Sequence, residues 1–121
     1  MLSNFLNNIS SLKEKILSNI FTTKTIKKNN YFYTKFLNGD IFYYDEQGNY
    51  HNDDEPAINT RFRKEYFYHG KRHRLDGPAV TFLHSTEKRI IYTEYWLYGE
   101  KLDYIKTNEQ FEKLIKLRSF I

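Results

Sequence analysis

A spaced pattern, Gly-x-x-His-x-x-Asp-x-Pro-Ala, occurs twice at a constant offset. Gly48, His51, Asp54, Pro56 and Ala57 return 22 positions later as Gly70, His73, Asp76, Pro78 and Ala79. A period this short cannot hold the two helices of a helical solenoid unit, and it suits one β-hairpin with its connections. A truncated third copy starts at Tyr98-Gly99-Glu100-Lys101-Leu102, where Gly99 follows the aromatic run Tyr92 to Tyr98 much as Gly70 follows Tyr66 to Tyr68. The repeat therefore restricts the centre of the chain to consecutive hairpins in an antiparallel meander.

Each shared residue has a backbone task. Gly48 and Gly70 stand where a strand must reverse and a missing Cβ relieves strain. Asp54 and Asp76 are expected to bond main-chain amides two residues on, and Pro56 and Pro78 to fix φ at the entry to the next strand. Ala57 and Ala79 are small where strands come close. His51 and His73 are expected to bond a turn carbonyl and to stack on a neighbouring Tyr. Gly77 is replaced by Glu55 in the first copy, so that position does not demand a positive φ. Arg72 and Arg74 correspond to Tyr50 and Asn52, and these unshared residues are expected to carry recognition.

The flanks have a different period. Apolar residues at Leu2, Phe5, Leu6, Ile9, Leu12, Ile16, Leu17, Ile20 and Phe21 have three-and-four spacings, so 1–21 reads as an amphipathic helix, followed by a polar linker over 22–30. From Tyr31 the pattern becomes strand-like. Asn38-Gly39 between Tyr31–Leu37 and Asp40–Tyr44 predicts a type I′ hairpin turn. Further strands are expected over 56–62, 63–68, 79–84 and 90–98, giving a twisted sheet of about six strands within 31–105. Thr107-Asn108-Glu109-Gln110 has the form of a capping box and opens a carboxy-terminal capping helix within 106–121. The expected whole is one α+β domain.

The segment Tyr68-His-Gly-Lys-Arg-His-Arg-Leu-Asp-Gly-Pro-Ala-Val80 resembles the HRxDGPA-type repeats of large DNA viruses and bacteriophages, which are themselves similar to MORN repeats. Trp96-x-x-Gly99 and Gly70-x-x-His73 match the MORN skeleton. The resemblance covers roughly residues 40 to 103 and is most specific in the second copy. It implies a MORN-like β-hairpin meander, closed by a short helix, that serves protein or membrane association, and it points to a viral accessory or structural protein in a virion or host cytoplasm.

Charge and composition narrow the functional classes. The net charge of +4 is distributed in blocks: five Lys against one Glu over 1–30, one Lys against six acids over 31–60, and eight basic against three acidic residues over 61–89. A nucleic-acid footprint would favour one continuous basic stripe. Arg61, Arg63, Lys64, Lys71, Arg72 and Arg74 nevertheless interleave with Phe62, Tyr66, Phe67 and Tyr68. Single-stranded nucleic-acid binding through 61–74 is therefore the rival reading.

With no cysteine, the chain has no disulfide, no thiol nucleophile and no Cys-based zinc site. His69-x-x-x-His73 would align on a helix but falls in a turn, so no metal or other cofactor is expected. His73-Arg74-Leu75-Asp76 lacks every other part of a kinase, and no hydrolase pattern is present, so no catalytic residues are expected. No apolar run is long enough to cross a bilayer, and the amino terminus lacks the continuous apolar core of a secretory signal. Membrane-surface contact would rest on the first helix alone, with Lys13 and Lys15 on its polar side. The expected role is non-enzymatic association with a protein partner or a second copy. Tyr68, Arg72, Arg74, Tyr95 and Trp96 are the expected contact residues, although Tyr95 and Trp96 point to opposite faces of one strand and cannot both be exposed on a two-layer fold, and no small-molecule substrate is expected.

Overall fold

The computed structural model describes residues 21–22, 31–84 and 86–119. The expected amino-terminal helix and the linker lie outside these, except at Phe21–Thr22. That pair forms strand β1 and joins the sheet instead of ending a helix.

The chain follows an α+β order. Strands β2 (Tyr31–Phe36), β3 (Ile41–Asp45), β4 (Ile58–Asn59) and β5 (Arg63–Glu65) are followed by β6 (Phe67–Tyr68), β7 (Lys71–Arg72) and β8 (Val80–Leu83). After them come β9 (Ile90–Glu94), β10 (Trp96–Leu97), β11 (Glu100–Lys101) and helix α1 (Asn108–Arg118). One antiparallel sheet has the order β1-β2-β3-β4-β5-β8-β9, and β6-β7 and β10-β11 are separate two-stranded hairpins. The expected strands 63–68 and 90–98 are thus each interrupted once, at Tyr66 and at Tyr95. Before the break the strand lies in the large sheet, and after it the strand turns into a short hairpin.

Turn chemistry explains the shape, and it differs from expectation at Asn38-Gly39. Only Gly39 has a positive φ there, and the amide of Gly39 bonds the Phe36 carbonyl at 3.0 Å. The Asn38 side chain instead accepts the Asp40 amide at 2.9 Å, so the reversal has a single left-handed residue. Two consecutive positive φ values, the signature of a type I′ turn, occur at His69-Gly70 (45° and 85°) and Tyr98-Gly99 (47° and 84°). At Gly77 no positive φ is found, as the comparison of copies implied.

Among the described residues the core has two parts. Ala57, Ile58 and Phe67 are buried with Phe42, Tyr43 and Tyr50 packed against them. Tyr95, Leu97, Leu102, Ile105 and Phe111 form the second cluster, flanked by Leu114 and Ile115. Helix α1 closes this second cluster and has the expected capping box. Thr107 Oγ1 accepts the Gln110 amide at 3.2 Å, and Gln110 Oε1 accepts the amides of Thr107 at 3.3 Å and Lys106 at 2.8 Å. Phe111 is buried with Leu114 and Ile115 packed beside it, and Leu117 is exposed.

Candidate functional site

The repeat is visible as a recurring set of backbone bonds. Tyr43 N–H donates to the Ala57 carbonyl and Tyr66 N–H to the Ala79 carbonyl, each at 2.7 Å. Both alanines are fully buried, which is why neither carries a larger side chain. His51, His73 and Leu102 donate their amides to the carbonyls of Tyr43, Tyr66 and Tyr95 respectively. Leu102 therefore occupies the histidine position of the third copy.

The histidines join one copy to the next. Nδ1 of His51 accepts the His69 amide and Nδ1 of His73 accepts the Tyr98 amide, both at 3.0 Å. Each donor is the first left-handed residue of a type I′ turn, and each accepting ring stacks on the donor's own ring at 3.8 Å. The histidines are thus acceptors of turn amides, where the sequence suggested bonds to turn carbonyls. An imidazole that accepts at Nδ1 is neutral and carries its proton on Nε2, and His51 Nε2 lies 3.1 Å from Asp53 Oδ1. Burial lowers the pKa of both histidines, and the nearby His69 adds to the effect at His51 against the opposing pull of Asp53 and Asp45.

Asp45, buried below this stack, accepts the amides of Gln47 and Asn49 on Oδ1, with His69 Nδ1 2.9 Å from Oδ2. Burial alone would raise its carboxyl, but the bonds from His69, Asn49 and Gln47 outweigh it and hold the pKa below the usual value.

Asp54 and Asp76 do not make the expected turn bonds. In the first copy the amides of Asp54 and Glu55 go to Asn52 Oδ1, each at 3.2 Å, and in the second Arg74 Nη1 donates to the Pro78 carbonyl at 3.2 Å. The residue two on from each Asp is proline, which has no amide hydrogen to give, and the side chain four residues before Pro reaches across the turn instead, Asn52 as an acceptor and Arg74 as a donor.

The five expected contact residues separate. Tyr68 is exposed at the centre of a group of rings formed with His51, His73 and Tyr98. Arg72 lies between Phe67 and Trp96, 5.4 and 5.2 Å from their centroids, and its Nε donates to the buried carboxylate of Glu65 at 2.9 Å. Arg74 covers the Tyr66 ring at 4.0 Å. Trp96 is half-buried and donates its indole N–H to Glu94. Tyr95 is buried against Phe111, with its hydroxyl bonded to Asn108, so it is no surface contact. Of the basic set over 61–74, Arg63 and Arg72 pair with Glu65 while Arg61, Lys64 and Lys71 are exposed.

Sequence reasoning missed Leu75 and Tyr98. Both are more than half exposed, and with Tyr68 they border a cleft of about 330 Å³ between the turns of the first two copies. Asp53, Asp54 and Asp76 also line it. The signal for Tyr98 was available, since it precedes the third repeat glycine as His69 precedes the second. Among the described residues no group of three or more His, Cys, Asp or Glu is arranged to hold a metal ion, and no helix is long and apolar enough to cross a membrane. No family model, curated protein or solved structure matches the chain.

Proposed function

We propose that the chain is a non-enzymatic, MORN-like repeat module for protein–protein association, and that a partner docks in the cleft between the repeat turns. The observation that carries this reading is the cleft, with Tyr68, Leu75 and Tyr98 exposed along it. Tyrosines presented with little conformational freedom are frequent anchors of protein interfaces. Here the freedom is already spent, because Tyr98 is stacked on His73 and Tyr68 is held among four neighbouring rings. The MORN-like assignment draws support from the bond pattern shared by the copies and from the helix that closes the last one.

A photo-crosslinking amino acid at Leu75 tests the reading in lysate of the native source, with the same probe at Leu37 in the β2–β3 turn as control. A discrete adduct at position 75 that is absent at 37, and that Tyr98→Ser removes, is the expected result. Identical adducts from both positions, or none from either, reject the cleft as the docking surface.

A further inference from the structure

The shared glycines, histidines and alanines of the repeat each have a structural task in both copies, but the shared Asp54 and Asp76 do not. Among the described residues neither carboxylate has a hydrogen-bond or ion-pair partner. Both are exposed, and both line the cleft between the repeat turns. Asp53 adds a third carboxylate to that cleft. It lies 3.1 Å from the ring of His51, which is neutral because its Nδ1 accepts the His69 amide, so the charge of Asp53 is not cancelled. His73, also on the cleft wall, is neutral for the same reason.

Against these three carboxylates stands the guanidinium of Arg74, already engaged by the Tyr66 ring and the Pro78 carbonyl. The lining residues of the cleft therefore carry a net charge of −2, on a chain whose net charge is +4. That field repels phosphate and acidic peptides and draws in a cation. A second cleft of about 250 Å³ shares Leu75 and Asp76 with the first and adds Glu112 and Lys116 of α1. Glu112 too is exposed and has no partner among the described residues.

The walls select among cations. Tyr68 and Tyr98 stand at 89° with centroids 6.2 Å apart, so tyrosine bounds the cleft in two directions. Leu75 offers apolar surface to an alkyl stem. Rings of this module already receive guanidinium groups, Phe67 and Trp96 from Arg72 and Tyr66 from Arg74. A planar guanidinium stacks on a ring and bonds a carboxylate through two parallel N–H groups, which a lysine ammonium does not do. At about 330 Å³ the cleft is at the small end of ligand pockets, so it suits one long side chain better than a helix face.

We infer that the cleft receives an arginine side chain from a basic segment of the partner, with its stem along Leu75, its guanidinium against Tyr68 and Tyr98, and Asp54 and Asp76 as counter-charge. The inference rests on the reading of this cleft as the docking surface and names the chemistry of what docks there.

Chemical-shift titration of the full chain with N-acetyl-arginine N-methylamide tests it, beside the citrulline analogue, which keeps the shape without the charge, and the lysine analogue. Saturable shifts confined to the cleft are expected, with millimolar affinity for arginine, roughly tenfold weaker binding of citrulline, and lysine between the two. Asp54→Asn combined with Asp76→Asn should weaken arginine binding about tenfold and leave the circular dichroism unchanged, whereas Glu46→Gln, exposed in the turn after β3, should do neither. Shifts outside the cleft, citrulline or lysine binding as tightly as arginine, or a double variant that binds like wild type overturns the inference. The crosslinker at Leu75 tells the two failures apart: a discrete adduct without arginine selectivity leaves the docking surface standing and its chemistry refuted, whereas absence of both refutes both.

Discussion

The pair Glu65–Arg72 offers a quantitative test of how the copies are built, because the first copy solves the same position differently. Phe42 and Glu65 both face β4 or its successor through Ile58 and Val80, and Tyr50 and Arg72 are the cross-strand partners of Tyr44 and Phe67. An aromatic pair in one copy is therefore an ion pair in the next. Arg72→Ala removes a charge-assisted bond to a carboxylate that is 2% exposed, worth about 1.5–3 kcal/mol. It also removes two cation–ring contacts worth about 0.5–1 kcal/mol each.

Arg63, 3.2 Å from the other carboxylate oxygen, keeps Glu65 from being orphaned, so the sum stays near 3 kcal/mol instead of the roughly 3–5 kcal/mol of a fully broken buried pair. The double variant Glu65→Phe with Arg72→Tyr copies the first repeat's solution. Replacing a buried ion pair by packed apolar groups is often neutral, so this variant should unfold within about 1 kcal/mol of wild type. Urea unfolding followed by the single tryptophan, Trp96, which touches Arg72, measures both. An Arg72→Ala loss below about 1 kcal/mol, or a double variant no better than the single one, would refute the equivalence of the two positions.

Two further predictions concern the latches and the cap. His51 and His73 have lowered pKa values, so the stability they contribute is fully present above their unfolded value of 6.5 and is lost as pH falls through the lowered folded value. Thermal melts between pH 7.5 and 5 should show this acid-side decline, and His73→Asn, whose amide oxygen can accept the Tyr98 amide without titrating, should make it shallower; an unchanged profile would count against the latch. Thr107→Ala removes the side-chain half of the capping box and should cost about 1 kcal/mol in denaturant unfolding, whereas Thr107→Ser should cost less.

Much of the framework was legible because period and turn composition are local properties. The capping box at Thr107 and Gln110 and the buried alanines fall where the spacing put them. The type I′ turns were not found, because His69 and Tyr98 are poor candidates for a positive φ. Their conformation is held from a distance by the rings of His51 and His73, a long-range bond that no local propensity encodes. For the same reason Arg72 and Arg74 read as surface cations: the sequence shows their charge, but not that Glu65 and the Pro78 carbonyl, brought near by the hairpins, already use it. That Tyr95 and Trp96 point to opposite faces followed from strand alternation, but which of them is buried did not, since Phe111 of α1 is brought against Tyr95 only by the fold.

The leucine at position 102 sets the length of the array. Leu102 has no ring nitrogen to hold the next turn, and it is buried in the cluster that Phe111 of α1 completes. Propagation therefore stops at one residue, and the count of copies is written into side-chain identity as a stop codon is written into a reading frame. Any longer relative of this module would need a hydrogen-bond acceptor at that position and a different location for its closing helix.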